Sequence, residues 1–280
     1  MVSFQVVVSL FLVTVASCTF NGDPVNWNRH PYLVKIMTRD SASKNVTTCS
    51  GTLISASAVL TSNKCFPENL DGVEGQAIVP LHGTSKTMHR AMLDVKRDGD
   101  FAIMRIDPIK QKNLCEKAPI PARISRLPIT PTLIEASFKP VDAKLMEKYR
   151  CRIVGFKTND DVEKFSSSDE VEIVDAEIRK TTDTLMFAEV YSNETGTACW
   201  DDLGAPLECA LEDDSFYTQV GFVHNIYSRG LDDEMALGNS TCSDVKSMEF
   251  IVFGDFTLAE NIDAADKIGV FEYQERCFSK

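Results

Sequence analysis

The chain has 280 residues, a formal net charge of -12, 44% hydrophobic residues and 25% charged residues. That balance is ordinary for a globular protein with a normal core. The acidic charge argues against a nucleic-acid partner, because phosphates reward Lys and Arg. Acidic clusters at Asp160 and Asp161, at Glu212, Asp213 and Asp214, and at Asp232, Asp233 and Glu234 read as solvated loops.

The first stretch, residues 1–18, is apolar and ends in the small residues Ala16, Ser17 and Cys18. It reads as a secretory signal peptide, although no basic residue precedes the apolar run. No later apolar run is long enough to span a bilayer, so the mature chain is expected to be secreted, soluble and free of membrane contact. Nine cysteines fit an oxidising compartment, and eight remain if cleavage follows Cys18. Asn45, Asn193 and Asn239 each open an Asn-x-Ser/Thr sequon, the acceptor signal for a surface glycan.

Residues 31–36 alternate in the manner of a strand. Residues 47–55 and 58–62 read as two more short strands, closed by Cys65. Further strand signals fall at 76–81, 87–95 and 100–106. Residues 119–140 carry five prolines (119, 121, 128, 131 and 140), which marks a connector between two halves. The second half repeats the strand-rich style at 151–156, 171–178, 184–191, 205–211 and 217–227. Residues 159–170 and 229–246 are long polar loops, and 248–258 and 268–274 read as late strands with a helical turn at 260–265. Short strands with little helical periodicity indicate an antiparallel barrel or sandwich.

The run Cys-Trp-Asp-Asp-Leu-Gly-Ala-Pro-Leu-Glu-Cys at 199–209 resembles the nucleophile loop of the trypsin/chymotrypsin-like serine proteases. It shares Cys199, Asp202, Gly204, Pro206, Leu207 and Cys209 with that family's Cys-x-Gly-Asp-Ser-Gly-Gly-Pro-Leu-x-Cys. Cys-Ser-Gly-Thr-Leu-Ile-Ser at 49–55 and Val-Leu-Thr-Ser-Asn-Lys-Cys at 59–65 resemble the family's histidine-bearing region. Asp-Phe-Ala-Ile at 100–103, Cys-Arg-Ile-Val-Gly-Phe at 151–156, Gly-Phe-Val-His at 221–224 and Gly-Val-Phe-Glu at 269–272 resemble further family blocks, in the family's order. The resemblance implies an all-β, disulfide-stabilised fold of two packed antiparallel six-stranded barrels. The first barrel is expected at about 19–118, the connector at about 119–145 and the second barrel at about 146–280.

Acyl transfer in this family needs a serine nucleophile, a histidine base and an aspartate that orients the base. The resemblance sets the base on Lys64, the orienting acid on Asp100 and the nucleophile on Leu203. Only Asp100 matches, and a leucine side chain cannot attack a carbonyl. Asp201 stands where the family has an oxyanion-hole glycine, which adds a Cβ and a carboxylate near a developing anion. Thr197 replaces the acid of trypsin-type specificity pockets. His224 stands at the cleft edge in place of a serine and reads as a structural histidine.

The resemblance also implies the bridges Cys49–Cys65, Cys151–Cys209 and Cys199–Cys242, leaving Cys115 and Cys277, whose pairing is arithmetic only. It places Thr19, the first residue after the signal, where family members carry the freed amine that pairs with the acid at Asp202. A local partner for Asp202 is the equal alternative. No histidine shows metal-ligand spacing, so no metal and no cofactor are expected.

Three functions follow. The first is a secreted, non-catalytic homologue that binds a protein partner (a protease, its inhibitor or its substrate) as decoy, cofactor or modulator of proteolysis. The others are an active endopeptidase and a structural glycoprotein on the same scaffold. Nothing in the sequence bears on oligomeric state.

Overall fold

The computed structural model describes residues 22–41, 44, 46–55, 57–80, 86–109, 150–157, 170–181, 185–189, 196–210, 217–227, 242 and 245–252. The expected signal peptide, Thr19, the connector, Cys115, Cys277, the three sequon asparagines, most of both polar loops and the region 253–280 lie outside these residues.

Six strands close the first barrel: β2 (Leu33–Asp40), β3 (Val46–Ser55), β4 (Ala58–Ser62), β5 (Val73–Pro80), β6 (Thr87–Asp98) and β7 (Phe101–Ile106). Their order is β2-β3-β4-β7-β6-β5, with β5 returning to β2. The sequence drives this by alternation. Val34 and Ile36, Ala77 and Val79, and Ala102, Met104 and Ile106 point into one core at period two. Closure removes the unpaired strand edges that an open sheet would expose. The Cys49–Cys65 disulfide ties β3 to the 3-10 turn Asn63–Cys65 that follows β4.

The remaining strands are β1 (Asp23–Val25), β8 (Arg150–Phe156), β9 (Val171–Ala176), β10 (Ile178–Thr181), β11 (Leu185–Glu189), β12 (Pro206–Ala210), β13 (Thr218–Tyr227) and β14 (Ser247–Val252). They form one eight-stranded antiparallel sheet in the order β1-β9-β8-β12-β13-β14-β11-β10. This corrects the expected second six-stranded barrel: the second sheet is not closed. Two features explain the difference. The single strand expected at 171–178 is split at Glu177, so that β9 pairs with β8 while β10 pairs with β11 at the far end of the sheet. β1 adds a further strand, pairing Asp23 to Ile173 and Val25 to Val171. A segment assigned by sequence to the first barrel thus belongs to the second sheet.

The two halves pack through shared apolar clusters. Leu33 and Ile78 from the barrel meet Trp27, Val154, Phe156 and Val171. Ile54, Leu60 and Ile103 meet Phe222 on β13. Cys151–Cys209 crosses between β8 and β12, and Cys199–Cys242 anchors the turn that begins the candidate site.

Candidate functional site

The turn from Cys199 to Ala205 is built by its own backbone. A 3-10 turn, Trp200–Asp202, is held by the Asp202 amide on the Cys199 carbonyl at 2.9 Å. The Ala205 amide then returns to the Asp202 carbonyl at 2.7 Å. Gly204 has φ +81, a left-handed backbone that side chains disfavour, and a Cβ there would overlap Thr61 and the Ser50 carbonyl. Close approach of two chains requires the glycine at this point.

The turn is sewn to the barrel. The Ser50 amide donates to the Leu203 carbonyl at 2.9 Å, and Ser50 Oγ donates to the Asp201 carbonyl at 2.7 Å. The Leu203 side chain, partly buried, packs against the apolar cores of both halves. Where the sequence resemblance set a nucleophile, the chain therefore carries an apolar wedge between its two sheets.

Lys64 sits in the 3-10 turn after β4, and its Nζ donates to Asn225 Oδ1 on β13. Asn225 in turn donates to Glu249 at 2.9 Å and to the Tyr227 hydroxyl at 3.1 Å, while Tyr227 donates to Glu249 at 3.0 Å. The lysine is thus engaged across the gap between the halves rather than directed at Leu203.

His224 is buried. Its Nδ1 lies 3.1 Å from Ser62 Oγ, and its Nε2 lies 3.6 Å from Asp100 Oδ1. A serine, a histidine and an aspartate therefore stand in a row, yet the exposures are inverted. Ser62 is fully buried, so no substrate carbonyl can reach its Oγ, whereas the Asp100 side chain is 60% exposed. The row joins β4 and the β6–β7 turn to β13. Sequence reading singled out His224 and Asp100 but not Ser62, which lies two residues before Lys64 within the run 59–65 and received no role there.

The pocket position is filled from within. Thr197 is 1% exposed, and Met248 on β14 covers it: Met248 Sδ lies 3.6 Å from Thr197 Oγ1 and accepts the Ala198 amide at 3.2 Å. Met248 is itself 2% exposed. The sequence reading expected a late strand from 248, where β14 lies, but gave Met248 no role in the site; the block at 269–272 lies outside the described residues.

Asp201 and Asp202 turn inward. Asp201 is buried, and its side chain feels Lys35 on β2; burial pushes its pKa up to about 6, with Lys35 opposing. The expected carboxylate beside a developing anion is therefore displaced to the interior. Asp202 Oδ2 accepts the Cys199 amide at 2.8 Å, which is a local backbone partner. Thr19 lies outside the described residues. Among those residues no group of three or more His, Cys, Asp or Glu could hold a metal ion, and no helix is long and apolar enough to cross a membrane.

The trypsin family profile matches residues 19–238 of the chain. No curated protein matches it. Among solved structures, the chain is similar to the scabies mite inactivated protease paralogue S-D1, with a TM-score of 0.54 and 13% sequence identity over 88% of this chain and 97% of that one. At that identity the likeness speaks for the fold.

Proposed function

Since this chain belongs to the trypsin family, we propose that it is a secreted, non-catalytic member that binds a protein partner and modulates proteolysis without cutting. The observation that carries this reading is Leu203, wedged between the two apolar cores where the family's nucleophile aligns. Lys64 aligns with the base, and its ammonium is committed to Asn225. Loss of nucleophile and base together removes most of what a triad contributes. The match to a solved structure described as an inactivated protease paralogue agrees with this reading.

Among the described residues, Met248 covers Thr197, so the residue expected in the pocket faces a side chain of this chain instead of open solvent. Partner recognition then falls to the rim and to the polar loops at 159–170 and 229–246, since loops carry specificity on rigid scaffolds. The partner class is a protease, its inhibitor or its substrate. Affinity capture from the source's own secretions tests this. The tagged mature chain should recover such a protein, and variants with either loop replaced by Gly and Ser should lose it. Equal recovery by all variants, or recovery of none, contradicts the reading.

A further inference from the structure

Behind the turn that carries Leu203 lies a cluster of buried charge. Asp202 is 2% exposed, Asp201 7% and Glu172 on β9 1%. Two lysines face them. Lys35, itself buried, acts on Asp201. Lys157, just after β8, lies 3.8 Å from Glu172 Oε1 but only 2.9 Å from the exposed Glu170. Among the described residues two lysines lie near these three carboxyls, and one of them, Lys157, sits closer to the exposed Glu170.

Asp202 has the poorest set of partners. Its Oδ2 accepts one amide, from Cys199. Its Oδ1 meets no donor in hydrogen-bonding geometry among the described residues. That oxygen abuts Gly155 on β8, where a Cβ would overlap it. An ionised carboxylate at such depth needs a cation or several donors, and one amide bond from Cys199, with the weaker pull of the Phe156 amide, falls short.

We propose that Asp202 is held as a neutral carboxylic acid with its proton on Oδ1, and that this proton latches the turn seating Leu203. Ionisation releases the proton to bulk water and leaves a buried charge next to Asp201 and Glu172. The charged groups around it are Asp201 on its own turn, Glu172 on β9, Lys157 after β8 and, beyond Asp201, Lys35 on β2. Burial, with Asp201 and Glu172 adding to it, pushes the Asp202 pKa up to about 8; the Cys199 and Phe156 amides oppose it. A carboxyl whose folded pKa is raised stabilises the fold below its unfolded value, about 4. That stabilisation is lost as pH climbs through the folded value. Across that window the unfolding constant rises by up to about tenfold per pH unit from this group alone.

Urea unfolding of the full mature chain and of Asp202→Asn, from pH 5 to pH 9, tests the latch. Asparagine keeps the shape and carries no charge. The wild type should lose stability relative to the variant as pH rises, its unfolding constant gaining about tenfold or more against the variant between pH 6 and pH 9. A ratio independent of pH, or one that moves the other way, overturns the proposal. Asp202 would then be ionised and paired throughout, as the amine of a chain starting at Thr19 would make it. If the variant does not fold, infrared spectra of wild type with labelled Asp carboxyls decide: Asp201, with a pKa of about 6, is largely ionised by pH 7.5, so a protonated-carboxyl band still present at pH 7.5 and gone by pH 9 supports the latch, and its absence at pH 7.5 overturns it. Neither outcome touches partner binding, which stands or falls on the capture experiment.

Discussion

The Ser50 amide donates to the Leu203 carbonyl at 2.9 Å, so the turn that carries Leu203 is a seam between the two halves. The neighbouring Ser50 hydroxyl takes the Asp201 carbonyl, and Thr61 Oγ1 closes the set on the Ser50 carbonyl at 2.7 Å. The two bonds from Ser50 hold barrel and sheet together at this turn, and the third fixes Ser50 from within the barrel.

Leu203→Ser should therefore cost stability without restoring chemistry. Removing the wedge is expected to lower stability by about 1–3 kcal/mol, from partial burial of a leucine. Hydrolysis of peptide esters by the variant should stay at the blank rate, because Lys64 remains bound to Asn225. Urea unfolding and an ester assay on one preparation read both effects.

Met248→Ala should be more costly. Met248 is nearly fully buried against Thr197 and Ala198. Truncation of a buried Met costs about 2–5 kcal/mol, depending on how far the site collapses. Denaturant midpoints of the wild type and the variant measure it, and a loss under about 0.5 kcal/mol would contradict the packing described.

His30 predicts an acid-side dependence. Its Nδ1 lies 2.8 Å from the Tyr32 hydroxyl, which also bonds Glu208. Burial, then the charges of Arg152 and Arg29, lower its pKa to about 4. The unfolded chain, near 6.5, then binds more protons than the folded one between those values, so stability rises with pH there and is lost as pH falls toward 4. The single-group contribution is about 3 kcal/mol. His30→Asn should flatten the wild-type slope between pH 4 and pH 6.5 in parallel urea titrations.

Gly204→Ala should destabilise by at least about 1–3 kcal/mol, the cost of a non-glycine residue in a disfavoured backbone region. Overlap with Thr61 and the Ser50 carbonyl adds to it. The midpoint of thermal unfolding reads the loss, and an unchanged midpoint would mean that the turn relaxes freely.

The barrel was legible because its signals are local. The runs at 49–55 and 59–65 lie within β3, β4 and the 3-10 turn after it, and alternation at Val34 and Ile36 marks a buried face. The sheet was less legible because its departures lie in pairing. Residues 171–178, Val-Glu-Ile-Val-Asp-Ala-Glu-Ile, hold no Gly or Pro to mark a break, and nothing in that run reports that its two ends join different neighbours at Glu177. β1 is three residues long and contains Pro24, a weak strand signal at an edge. At the site, Lys64, Asp100, Asp201, Leu203 and His224 were singled out by the resemblance to the family's motifs. What they touch was not, since Ser62, Asn225 and Met248 reach them from strands distant in sequence.

A trypsin-family chain without a working nucleophile should ignore a fluorophosphonate probe, which the purified protein can meet beside active trypsin as control. Intact mass should show no covalent label on the chain. Stoichiometric labelling of any serine, abolished by denaturation before exposure, would contradict it.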